Sequence, residues 1–197
     1  EAVLPALMRR SSVTAELTLY SLLCFIPLGL LGGGMAAWRK DRDFDWGFRL
    51  AAFIATAIPP FVLAFLLLSF FYVGLNWFPP ERLSTVNNAI VQSADYIQYT
   101  GLITIDGLLN RRPDVSLDAA RRLVLPVLTI SLLHWATLGR VTRSAMVDEL
   151  QKDYVTAARA RGVSERALIW RHIFRNALSP ALNSTVLSAS SLLTGVL

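Results

Sequence analysis

Four apolar runs decide what this chain can become. They occupy residues 13–38, 50–78, 123–147 and 177–197, separated by polar, arginine-rich segments. A helix rises ~1.5 Å per residue, so about 20 apolar residues cross a hydrocarbon core of roughly 30 Å. In lipid no water is present to bond backbone groups, which makes the helix the spanning form for runs of this length. Apolar residues are 54% of the 197 and charged residues 17%, whereas a soluble domain carries about a quarter charged. The fold class read from this is all-α and polytopic in the membrane.

Each run carries its own marks. The first holds Glu16 near its start, then Pro27 and the triplet Gly32–Gly33–Gly34. Small residues let membrane helices approach closely, so the triplet is expected to be a packing device. Glu16 reads either as an interfacial or helix-end residue or as a substrate contact. In the second run Pro59 and Pro60 remove two backbone donors and predict a kink or an unwound turn. The third contains Pro126, His134, Trp135 and Arg140. His134 lies near the middle, where a polar group is costly and therefore suspect; Arg140 and Arg143 are expected to snorkel to the surface. The hydroxyls of the fourth run (Ser179, Ser184, Thr185, Ser188, Ser190, Ser191, Thr194) suit helix packing or a pore lining. The single cysteine, Cys24, excludes an intrachain disulfide and reads as a small buried apolar residue.

Between the runs, residues 38–49 read as a short charged loop and residues 79–122 as a long polar one. The middle of the latter, 96–110, is expected to form a re-entrant or surface-lying hairpin or helix. Lysines and arginines number twelve on the side of the 38–49 loop and of residues 148–176, against seven on the other. The positive-inside rule then puts residues 148–176 in the cytoplasm and the 79–122 loop outside. The formal charge of +5 orients loops in such a chain rather than binding nucleic acid. No phosphate-binding glycine loop, metal-ligand cluster or nucleophile elbow is present. Glu1 and Leu197 are expected to be cut ends within a longer polypeptide.

The stretch 148–180, DELQKDYVTAARARGVSERALIWRHIFRNALSP, is the one charge-dense segment with strong helical signals. Leu150, Tyr154, Ala157 and Ala158 share one helical face. Gly162 supplies the left-handed residue that ends a helix, and Ser164 is a good N-cap for the next, with Glu165 at the positive end of its dipole. Leu168, Ile169, Ile173 and Phe174 form the second helix's apolar stripe. A helix-turn-helix with small alanines at its tip suits docking in a groove on another protein.

This stretch resembles the EAA loop of ABC-importer permeases, specifically the dipeptide/oligopeptide/nickel permease family. Ala157, Ala158 and Gly162 fall on the alanine pair and glycine of E-A-A-x-x-x-G, with Thr156 in place of the glutamate. His172, Asn176, Ala177 and Pro180 fall on the continuation H-x-x-x-N-A-x-x-P. Residues 14–17, 26–29, 123–133 and 140–146 are similar to the family as well. The resemblance implies a type I ABC-importer permease fold, with one span before Glu1 and at least one after Leu197. It implies a bacterial inner-membrane subunit that works with a second, non-identical permease, two cytoplasmic ATPases and an extracytoplasmic substrate-binding protein. No cofactor belongs to the chain itself; ATP and Mg²⁺ are the ATPases'. Asp153, Tyr154, Ala157, Ala158, Arg159, Arg161, Gly162, Ser164 and Glu165 would dock the ATPase and couple it to the spans. His172, Asn176 and Pro180 would shape the loop, and His134, Pro59 and Pro60 would be candidates for the translocation path. An ion- or proton-coupled carrier would need several intramembrane carboxylates on a path, and a membrane scaffold would need a further globular domain.

Overall fold

The computed structural model describes residues 3–194, with side chains from residue 11 onward. Every regular element among them is helical: α1 (Val3–Trp38), α2 (Asp43–Ala57), α3 (Pro60–Leu67), α4 (Thr85–Val91), α5 (Ile103–Leu109), α6 (Pro113–Glu149), α7 (Asp153–Ala160), α8 (Glu165–Ala167) and α9 (Phe174–Thr194). Two π-helical stretches extend α3 and α8 without a break, over Leu68–Gly74 and Leu168–Ile173. Two helices, Ser11–Trp38 and Pro113–Glu149, are long and apolar enough to cross a membrane. A third span is available if α2 and the helix from Pro60 to Gly74 count as one.

The four expected spans are thus two or three among the described residues. The 50–78 run is interrupted where Ile58 and Pro59 turn extended, and Pro60 begins a new helix at its first turn. That position suits proline, whose missing N–H has no helical acceptor there. α9 does not reach the apolar threshold over its described residues, because hydroxyls dilute its hydropathy; residues 195–197 of the expected fourth span lie outside the described residues. Several of those hydroxyls bond back to their own helix: Thr185 to the Ala181 carbonyl, Ser191 to Ser188, Thr194 to Ser190. The expected 38–49 loop is shorter than its charge suggests. Asp43 and Asp45 sit in the first turn of α2, where carboxylates meet the positive end of the helix dipole. α6 likewise starts ten residues earlier than the apolar run, at Pro113.

The chain forms two compact units, residues 1–21 with 59–130, and residues 22–58 with 131–197. In the first, the 79–112 segment folds over a small core of Leu83, Ile103, Val115 and Ala119. Of the hairpin and helix expected for its middle, the helix is found: α5 and the turn before it. Glu16, 2% exposed, accepts hydrogen bonds from the Thr104 backbone N–H (2.8 Å) and hydroxyl (2.7 Å). Arg82 completes the site at 3.2 Å. A carboxylate inside α1 thus caps the first turn of α5.

In the second unit α1 and α6 meet through glycine. A Cβ on Gly33 would lie 2.3 Å from the Gly139 carbonyl oxygen, and one on Gly29 would lie 2.9 Å from the Leu138 side chain. Only backbone-on-backbone contact fits there, as the glycine triplet predicts. Asp45, fully buried, takes both Arg143 donors, at 2.5 Å from Nε and 2.6 Å from Nη2. Arg143 therefore does not snorkel to the surface. It turns back to hold α2, because a bidentate carboxylate is available inside.

Candidate functional site

The helix-turn-helix lies wholly within the second unit. α7 ends at Ala160; Arg161 follows and Gly162 takes φ +78°. The Gly162 N–H donates to the Arg159 carbonyl (2.9 Å) and the Val163 N–H to the Ala158 carbonyl (3.2 Å). These are the two bonds of a Schellman cap, with Val163 packing back on the core beside Ala158. Ser164 occupies the N-cap position of α8 in extended conformation, but its side chain makes no capping bond. Glu165 instead clasps Arg159 across the turn, at 2.6 Å from Nε and 3.3 Å from Nη2. The Arg159 hydrogen bonds hold the Glu165 carboxyl below the usual glutamate range, and Glu165 raises Arg159 in turn.

Of the four residues expected to share a face, Ala158 is buried and Leu150 and Tyr154 pack against the same core, while Ala157 does not. Val155 and Ala158, three residues apart, are buried against Leu168, Ile169, Ile173, Met146 and Ala37. Ala157 points outward instead. Together with Asp153, Thr156, Ala160 and Arg161 it makes an exposed strip of mostly short side chains. The alanine pair thus divides its work: one methyl packs inward and the other leaves room for a surface to approach. Leu168, Ile169 and Ile173 are buried as the stripe predicts, with Phe174 half-buried beside them. The second helix is not a separate element, since α8 runs through the π-helical segment into α9.

Asn176 and Tyr154 secure the root of this foot. The Tyr154 hydroxyl donates to Glu149 at the end of α6 (2.8 Å), and the Asn176 side chain donates to the Tyr154 oxygen (3.3 Å). Lys152 pairs with the same Glu149. Burial raises the Tyr154 phenol first, and the Glu149 bond adds to it. So α6, α7 and α9 are tied at one polar node, and that node includes one residue of the H-x-x-x-N-A-x-x-P pattern. Ala177 is buried in the adjoining core. His172 is exposed within the π-helical segment, and Pro180 is exposed inside α9. A proline there cannot donate to the carbonyl four residues back, which is that of Asn176.

The remaining candidates lie elsewhere. His134 is 8% exposed, with its ring 5.2 Å from that of Phe25, and its Nε2 finds no hydrogen-bond partner among the described residues. Pro59 and Pro60 are exposed at the break before α3. The groups that spacing missed are Asp45, Arg143 and Glu149. They belong to apolar or mixed segments, and their partners lie up to 98 residues away.

Residues 29–197 match the family of binding-protein-dependent transport system inner membrane components. The chain is 35% identical over 182 residues to a di/tripeptide transport system permease protein, DppB, of Pseudomonas aeruginosa, covering 92% of this chain and 52% of the relative. It is 27% identical over 186 residues to a dipeptide transport system permease protein of Alkalihalophilus pseudofirmus (94% and 54%). Against an oligopeptide transport system permease protein, AppB, of Bacillus subtilis it is 30% identical over 178 residues (90% and 48%). The chain spans about half the length of the curated relatives it matches. A helical membrane chain whose polar foot carries the alanine pair, the capping glycine and the asparagine node, and whose sequence matches from residue 29 onward, belongs to the inner-membrane permease family of binding-protein-dependent ABC importers.

Proposed function

We propose that this chain is part of a membrane-embedded permease subunit in an ATP-driven, binding-protein-dependent importer of peptides. Its relatives named for dipeptides, di/tripeptides and oligopeptides support the substrate class. The subunit itself hydrolyses nothing; ATP and Mg²⁺ bind two cytoplasmic ATPases, a second, non-identical permease shares the path, and an extracytoplasmic binding protein delivers the peptide. Residues 148–176 face the cytoplasm, and the 79–112 segment faces outward.

The observation that carries the proposal is the exposed strip of α7. Ala157 and Ala160 expose small side chains on a helix whose other face is locked into a core by Val155 and Ala158. A groove on the ATPase can approach that strip closely, and Asp153 and Arg161 offer charge at either end. Because α7, the turn and α8–α9 share one core, a push on the strip moves a helix rather than a loop. ATP-driven closure would then bias the spans between inward- and outward-open states.

Replacing Ala157 by tryptophan tests this. The position is exposed, so the subunit should insert and fold as before while co-purification with the ATPase falls at least tenfold. Undiminished co-purification, with peptide-stimulated ATP hydrolysis intact, would remove α7 as the docking element.

A further inference from the structure

The tip of the α1–α2 hairpin carries a basic pocket that the docking strip does not explain. It has a volume of about 480 Å³ and is lined by Arg39, Lys40 and Arg42 of the hairpin, Trp38, and the Arg159–Glu165 pair. Arg159 is already matched by Glu165. Arg39, Lys40 and Arg42 form no ion pair among the described residues, although Asp41 lies between them in sequence and Asp43 follows Arg42. Three cations thus converge on one concavity with a single, already committed carboxylate. Such a pocket focuses a positive field and calls for an anion.

What surrounds the pocket says which anion. Trp38, Phe44 and Trp46 are exposed around the hairpin tip. Arg39 lies over the Phe44 ring and Arg49 over that of Trp46, with guanidinium carbons 5.8 Å and 4.9 Å from the ring centroids. Aromatic side chains paired with cations belong at the headgroup level of a bilayer. Farther along the hairpin, Leu31 of α1 and Leu50, Phe53 and Ile54 of α2 are exposed and wholly apolar. Leu31 and Leu50 each lie seven residues from the hairpin end of their helix, roughly 10 Å down the axis. The two helices are packed together there, with Phe48 against Gly32. A molecule with its charge in the pocket would have exposed apolar side chains for its tails farther along the hairpin, beginning roughly 10 Å away.

We propose that this pocket binds the phosphate headgroup of an anionic membrane lipid, with its acyl chains along the outer faces of α1 and α2. The site includes Arg159, so an occupied pocket would lie against the root of α7. The inference needs the chain to lie in a membrane; it does not need α7 to dock an ATPase.

Native mass spectrometry of the full-length protein tests it, after extraction from membranes of equal phosphatidylglycerol and phosphatidylethanolamine content. Wild type should retain phosphatidylglycerol preferentially. The triple variant Arg39→Gln, Lys40→Gln, Arg42→Gln should lose that retention on the order of tenfold or more, while Arg39→Lys with Arg42→Lys should keep most of it. All three residues are exposed, so melting temperatures should match wild type, and Arg159 is left intact to spare α7. Equal retention of the two lipids by wild type, or unchanged retention by the triple variant, would overturn the site. Binding of millimolar inorganic phosphate by wild type but not by the triple variant, with phosphatidylglycerol retained equally by both, would assign the pocket to free phosphate and overturn the lipid reading.

Discussion

At the scale of single residues, the second unit depends on one buried ion pair. Asp45 has no exposed surface, and both of its oxygens are held by Arg143, with the Asp41 N–H adding a third bond at 3.1 Å. The pair's net worth against an apolar replacement is small, since both charges left water to form it. Breaking it from one side is different, because it strands a buried carboxylate. Arg143→Met should therefore cost about 3–5 kcal/mol. Asp45→Leu with Arg143→Met should recover most of that loss, and thermal unfolding of the purified protein in detergent measures both. A single variant no worse than the double would contradict the pairing. Nothing in the local sequence announces this contact. An aspartate in a charged loop and an arginine near the end of an apolar run each have an ordinary solvated reading, and only the hairpin packing joins them. Gly162 is the opposite case: where a helical pattern stops at a glycine, a left-handed cap is the ordinary cause.

At the scale of elements, the α7–α8 turn stands on backbone conformation and on one surface clasp. A Cβ on Gly162 would meet nothing within 4 Å, so sterics do not demand glycine there; φ +78° does. Gly162→Ala should cost roughly 1–2 kcal/mol of local strain, and Gly162→Asn less, since asparagine tolerates the left-handed region. Hydrogen exchange at the Val163 and Gly162 positions should rise in that order, asparagine before alanine; equal protection in all three would show that the turn is not held as described. The Arg159–Glu165 clasp adds a pH term of known sign. The Glu165 carboxyl titrates lower folded than free, so its stabilisation is full above the ordinary glutamate value of about 4.3. It disappears as pH falls through the lower folded value. Both partners are largely exposed, which limits the effect to a few tenths of a kcal/mol. Glu165→Gln should thus lower exchange protection across the turn at pH 7, and the difference from wild type should shrink as pH falls below the ordinary glutamate range. The sequence carries the turn well because caps are local. It does not carry the π-helical run through Leu168–Ile173: that depends on how the apolar stripe seats in the core, and no residue type marks it.

At the scale of the whole molecule, hydropathy located α1 and α6 because long apolar runs have one stable solution in lipid. It says less about the other two runs, for two physical reasons. Paired prolines interrupt the 50–78 run between two helices, and the serines and threonines of α9 satisfy themselves on their own backbone, which lets a helix form without making it strongly apolar. The pocket lined by Arg39, Lys40, Arg42 and Arg159 supports the proposed topology, in which residues 39–42 and α7 lie on one side of the membrane. The excess of lysine and arginine on that side supports its being the cytoplasmic one. Ala157→Cys and Arg42→Cys, each in a Cys24→Ala background, should accordingly react with a membrane-impermeant thiol reagent only in inside-out vesicles, and Ala94→Cys only in right-side-out ones. All three positions are exposed, so a silent site reports compartment and not burial. Labelling of Ala157→Cys from the outer face would separate the foot from any cytoplasmic motor, and with it the coupling role proposed for α7.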